Sequence, residues 1–330
     1  MTSTSLITAS DGVRLAVHRY TDIDPQRPTV LAVHGWPDNH HIWDGVAAEL
    51  GGRYNFVAYD VRGAGESSCP ATRSGYRLGQ LVADLGAVID SLEVGQVHLL
   101  AHDWGSVQGW AAVTDESVAG KIASFTSLSG PHLQGAGRFL RSARGPRSLV
   151  DVAKQIAGSS YIAFFLTPAA PELAFRSGIG VKVVEAVERI GGSGTRAQRV
   201  SPPRAIGDFV NGLNLYRENL PAPLFSPGPQ LPRTDVSVQV LAPRRDYFIS
   251  PPLQRLQGAI SLRSRVVSIE GGHWVVTARP DAVARLTAEW IEAVIRGEVE
   301  TSVEYGESRQ AGGRLTLINR LLARLALLLK

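Results

Sequence analysis

The tightest constraint on this chain is the stretch VGQVHLLAHDWGSVQGWAAV at residues 94–113. An apolar, strand-like run ends in a turn of small residues and continues as a helical pattern, with Asp103 at the apex. Ala101-His102-Asp103-Trp104-Gly105 is a small-x-nucleophile-x-small pattern between strand and helix. Small flanking residues let the backbone turn sharply, so the central side chain stands exposed above a sheet. The alternative is an ordinary helix start, where aspartate is a favoured N-cap.

The rest of the chain repeats that strand-then-helix rhythm. Apolar, β-branched runs at 28–35, 54–60, 96–105, 121–130, 236–243 and 265–272 read as buried strands, and a long helical pattern begins at Asp281. Strands buried on both faces and separated by helices specify a mostly parallel α/β sheet. The rhythm breaks over residues 131–230. There "SLVDVAKQIAGSSYIAFFLTP" and "RAIGDFVNGLNLYREN" read as helices, and the proline-rich "NLPAPLFSPGPQLPRTD" returns the chain. The expected organisation is a core of 1–130 and 231–297 interrupted by an all-helical cap at 131–230. A polar linker at 298–313 and an amphipathic leucine-rich helix at 314–330 should follow.

A nucleophile in such a turn needs an acid and then a histidine downstream. "RRDYF", after the strand at 236–243, offers Asp246, and "GGHW", after the strand at 265–272, offers His273. Both fall just past strand ends, where open α/β sheets place their sites. Read alone, Asp246 could be a loop aspartate paired with Arg244 or Arg245, and His273 a buried structural histidine. An acyl-type intermediate also needs N–H donors for its oxyanion. "HGWPD" at 34–38 nominates the backbone N–H of Trp36, and the turn nominates that of Trp104. His34 should brace its own loop. His40 and His41 are adjacent and cannot share a helix face as metal ligands, so no metal and no other cofactor is expected.

Taken together, "HGWPD", "DVRGAGESS" at 60–68, "AHDWGS", Asp246 and "GGHW" resemble the α/β-hydrolase superfamily, and within it the epoxide hydrolases. The likeness is greatest to bacterial members, some of which carry an extra C-terminal oxidoreductase domain, and it covers about residues 6 to 297. It implies an eight-stranded, mostly parallel sheet with the cap inserted after the sixth strand. It also implies two cap tyrosines, which the contexts "SSYIAFFLTP" and "NLYREN" place at Tyr161 and Tyr216. Ala101 stands where the family often has glycine. The implied chemistry is attack by Asp103 on an apolar epoxide, with His273 activating water, Asp246 orienting the imidazole and the tyrosines protonating the leaving oxygen.

Two other readings stay open at this level. A haloalkane dehalogenase shares the aspartate and the following tryptophan, yet no tryptophan lies between Trp110 and Trp274 to serve as a second halide donor from the cap. A hydrolase-fold binding protein would be expected to lose a member of the triad. The net charge of +4 comes mostly from scattered arginines, so no nucleic-acid surface is expected. With one cysteine, Cys69, and no charged-then-apolar leader, the chain should be cytoplasmic. The 314–330 segment, with Arg314, Arg320, Arg324 and Lys330 among its leucines, could contact a subunit or an anionic membrane surface.

Overall fold

A computed structural model of the chain describes residues 3–191, 202–220, 222–228 and 230–299. The leucine-rich segment 314–330 and residues 300–313 of the expected linker lie outside them. Eight strands form one sheet: β1 (Ser3–Thr8), β2 (Arg14–Arg19), β3 (Thr29–Val33), β4 (Asn55–Tyr59), β5 (Val97–His102), β6 (Ile122–Leu128), β7 (Ser237–Pro243) and β8 (Ser264–Ile269). Their spatial order is β1-β2-β4-β3-β5-β6-β7-β8. β2 runs antiparallel to both β1 and β4, and every other pairing is parallel. The sequence reading identifies β3 to β8; the structure adds the β1–β2 hairpin, turned at Gly12, whose φ of 84° suits glycine.

The pleat explains the buried runs. In β3, Leu31 and Val33 join the apolar layer on one face, while Val30 and Ala32 join the layer on the other. β5 does the same, with Leu99 and Ala101 on one side and Leu100 on the other. Side chains two apart share a face, and with helices on both faces neither set meets water. On one face pack α2 (Leu78–Ser91), α3 (Trp104–Val113) and the short α4 (Glu116–Ala119); α1 (Asp44–Leu50) packs on the other.

Between β6 and β7 the described residues form a helical insertion. It contains α5 (Leu133–Leu140), α6 (Pro146–Gly158), α7 (Tyr161–Phe165), α8 (Ala170–Arg176), α9 (Ile179–Gly191), α10 (Ile206–Asn219) and α11 (Ala222–Phe225). After β7 comes α12 (Pro251–Gln257), and after β8 come α13 (Val275–Ala278) and α14 (Pro280–Ile295), which packs beside α1. The insertion is not a separate globule. Its Phe165, Phe175, Phe209, Leu213 and Tyr216 belong to the same buried cluster as Leu31, Val33 and Trp36 of the sheet domain. Among the described residues no single helix is long and apolar enough to cross a membrane.

Candidate active site

The turn at Asp103 is as sharp as its small neighbours suggest. Asp103 has φ 53° and ψ −122°, a backbone conformation that costs a non-glycine residue strain. Its side chain makes no N-cap hydrogen bond to α3. The strain is held in place by close packing. A Cβ on Gly105 would lie 2.3 Å from the Val33 carbonyl, and one on Gly35 would lie 2.4 Å from Asp103 Oδ1 and 2.6 Å from the Trp104 nitrogen. Ala101 is fully buried in this setting.

The Asp103 carboxylate is addressed from two sides. The Trp36 backbone N–H donates to Oδ1 at 2.8 Å. His273 Nε2 stands 3.5 Å from Oδ2. The other imidazole nitrogen, Nδ1, lies 3.2 and 3.3 Å from the two oxygens of Asp246. Asp103, His273 and Asp246 thus form one chain of contacts at the ends of β5, β8 and β7. Asp246 is committed to this role: the N–H groups of Phe248 and Ile249 each donate to its Oδ1 at 3.0 Å. Arg244 instead pairs with Glu270 at 2.9 Å. Burial would lower the pKa of His273; the Asp246 charge first, then bonds from both carboxylates, outweigh it and raise the pKa to about 10.

Tyr161 and Tyr216 reach the same place from the insertion. The Tyr216 ring stands edge-on to the Tyr161 ring at 6.0 Å and to the Trp104 indole at 5.0 Å between centroids. Burial, followed for Tyr161 by the Asp103 charge, pushes both phenols above the ordinary tyrosine value, so both keep their protons. The Trp36 indole N–H is also engaged, donating to the Phe209 carbonyl at 2.9 Å.

Several residues that support the site carry no motif of their own. Gln254 on α12 donates to Asp246 Oδ2 at 3.3 Å and to the Ile249 carbonyl at 2.7 Å, and accepts from the Ser129 N–H. His102, fully buried, donates from Nε2 to the His273 carbonyl at 3.0 Å. Asp38 accepts the Trp274 indole N–H at 3.1 Å and the Arg204 guanidinium Nε at 2.7 Å, linking the insertion to the residue after His273. His34 accepts the Val61 N–H at Nε2 and so joins the β3 and β4 loops. His40 and His18 stack at 3.5 Å and both bond the buried Asp60, which also accepts the N–H groups of His40 and Glu66. One ring nitrogen of each histidine is spent on the carboxylate and the other nitrogen of His18 on Thr4, so the cluster reads as a brace between loops.

Comparison with known proteins agrees with this architecture. The family model for the alpha/beta hydrolase fold matches residues 28–166. The chain is similar to Probable oxidoreductase EphD of Mycobacterium tuberculosis, 35% identical over 260 residues, a match that covers 74% of this chain and 42% of that relative. The chain therefore spans less than half of that relative's length. Among solved structures it is similar to an epoxide hydrolase from Bacillus megaterium, with TM-score 0.71 and 22% identity over 87% of this chain and 100% of that one. It is also similar to the epoxide hydrolase VrEH1 from Vigna radiata, with TM-score 0.65 and 25% identity over 88% and 98%. With the sheet order, the strained turn and these matches in agreement, the chain has the α/β-hydrolase fold.

Proposed function

We propose that the chain is an epoxide hydrolase that opens an apolar epoxide to a vicinal diol through an ester on Asp103. The observation that carries the reading is the carboxylate itself, held at Oδ1 by a backbone N–H and faced at Oδ2 by His273, with two protonated phenols grouped beside it. Oδ2 attacks one ring carbon, the carbon–oxygen ring bond breaks, and the departing oxygen takes a proton from Tyr161 or Tyr216. Water then attacks the ester carbonyl carbon while His273 Nε2 removes its proton. The oxyanion forms at Oδ1, against the N–H groups of Trp36 and Trp104. Collapse breaks the bond between that carbon and Oδ2, the departing alkoxide takes the proton from His273 Nε2, and the diol leaves with the former Oδ2; the proton left on the Asp103 carboxyl returns to the tyrosinate. Asp246 orients the imidazole and offsets its charge. This is nucleophilic catalysis followed by general-base catalysis.

The halide-releasing alternative is weakened by where the Trp36 indole donor points. It needs N–H groups free to hold an anion beside Asp103, and the Trp36 indole is bonded elsewhere, to the Phe209 carbonyl. A purely binding role is weakened by the intact contact chain from Asp103 to Asp246.

The test is a single turnover in oxygen-18 water with enzyme in excess over an aryl or alkyl epoxide. The first diol formed should carry no heavy oxygen from solvent, and the label should appear in Asp103. Heavy oxygen in the first diol would mean direct attack by water and would overturn the covalent route. Release of halide from haloalkanes without epoxide turnover would establish the alternative.

A further inference from the structure

Helices α6 and α7 form a nearly continuous segment, Pro146–Phe165, whose inner side is fully used. Val152 packs with Ala136, Phe139 and Leu253. Gln155 donates to the Phe248 carbonyl at 2.6 Å and accepts the Ser250 N–H at 2.8 Å. The outer side is unusual. At about 100° per residue, Leu149, Val150, Ala153, Ile156, Ala157 and Phe164 fall on one arc, and all six are exposed. Leu149 and Val150 keep 49% and 51% of their surface in contact with solvent. Within that arc Ser160 is the one polar side chain. A helix on a protein surface normally turns its polar side outward; the reverse marks a surface that meets another apolar body.

Charge identifies that body. Arg147 and Lys154 border the arc, and Arg144 stands just before α6; among the described residues none of the three side chains has a hydrogen-bond or ion-pair partner. Residues 138–189 contain eight arginines and lysines against four acids, an excess equal to the +4 of the whole chain. An apolar strip bordered by free cations complements an anionic lipid interface. A second copy of the chain fits poorly, because a two-fold contact through this strip would bring like charges together. The segment is bent by 89° from α8 and is buried along its inner side, so it would lie in the interface and not span it.

We propose that the outer side of α6 and α7 docks this enzyme onto anionic lipid surfaces. Tyr161 sits on the inner side of the same segment, against Tyr216 and Phe248, so the docked segment is one that also carries a residue of the site. That link to catalysis rests on the epoxide reading; the docking does not.

The test uses the full chain and co-sedimentation with vesicles of phosphatidylcholine alone or with about one third phosphatidylglycerol. Binding should appear with the anionic vesicles. Arg144→Gln/Arg147→Gln/Lys154→Gln should weaken it about a hundredfold, at about fivefold per charge, and Leu149→Glu/Ile156→Glu at least as much. Both variants should hydrolyse a water-soluble short-chain epoxide as the parent does and sediment as the parent does in solution. Equal binding to neutral vesicles, or variants that bind like the parent, would overturn the proposal. So would a change in self-association on Leu149→Glu/Ile156→Glu, the mark of a second copy on this face. Vesicle binding without any epoxide turnover would strike the reaction and leave the docking standing.

Discussion

On the sheet side of the site, Asp103, Asp246 and His273 stand at the ends of strands. β5 and β7 are buried along their whole length, and backbone packing at Gly35 and Gly105 leaves the Asp103 turn no freedom. On the insertion side, Tyr161 rides on the short α7 and Tyr216 on the longer α10, both held by side-chain ties. Arg217, next to Tyr216, donates to the carbonyls of Phe165 and Thr167 and pairs with Glu172, which binds α10 to α7 and α8. Arg204 ties the start of α10 to Asp38. The difference teaches where each half is vulnerable. Under the proposed mechanism the sheet half loses function only with a functional group, whereas the insertion half loses it either with its phenols or with their position.

Substitutions can separate the two halves, beginning with the most severe. Asp103→Asn removes the attacking oxygen's charge without changing shape, and steady-state epoxide turnover should fall by about 10⁴-fold or more with the melting temperature little changed. His273→Gln should cost about 10³-fold in turnover, yet the ester should still form. Intact mass after mixing with epoxide should show a protein-plus-substrate adduct, and a folded, substrate-binding variant without one would contradict the assignment of His273 to the second step. Tyr161→Phe/Tyr216→Phe should slow ring opening by about 10²–10⁴-fold in stopped-flow, with each single change milder because one donor remains.

Position rather than chemistry is addressed by Arg204→Met. It leaves the Asp38 carboxylate buried without its cation, and breaking such a pair costs about 3–5 kcal/mol. Chemical denaturation should report that loss, and Asp38→Asn added to Arg204→Met should restore part of it. The smallest effect is electrostatic. His273 owes part of its raised pKa to Asp103, so Asp103→Asn should move the imidazole titration, followed by NMR, below about 10. Because the folded-state pKa lies above the ordinary 6.5, the stability it contributes is complete below that value and fades as pH rises through about 10. Asp103→Asn should therefore flatten the alkaline limb of a stability–pH curve. On the proposed mechanism esterification would remove the same charge, so His273 would become a readier base once the ester had formed.

How much of this was legible in the sequence differs between the halves for the same reason. Asp103, Asp246 and His273 each follow an apolar run that ends in small or polar residues, so local pattern placed them at strand ends. The β1–β2 hairpin carried a signal too, the Asp11-Gly12 turn between "SLITAS" and "VRLAVHR", but β1 is an exposed edge with little buried apolar character to announce it. Gln254 is one glutamine in "PPLQRLQ", and only the folded approach of α12 to the β7 loop makes it a partner of Asp246. Arg204 meets Asp38 across 166 residues of chain, a pairing no local pattern encodes. Tyr161 and Tyr216 were suggested by likeness to a family; neither spacing nor periodicity singles them out from the chain's other tyrosines.

Trp36 carries a consequence for how the site is loaded and emptied. Its main-chain N–H holds Asp103, while its ring touches Phe165, Phe175, Phe209 and Tyr216 and its indole nitrogen is fastened to α10. A roof raised like a hatch would drag that ring outward and pull the donor off the carboxylate. On the proposed function, a substrate that reaches Asp103 without disturbing that donor would have to pass between the helices with the roof closed, as through a turnstile. Selectivity for molecular shape would then be decided on the way in, before any bond is broken.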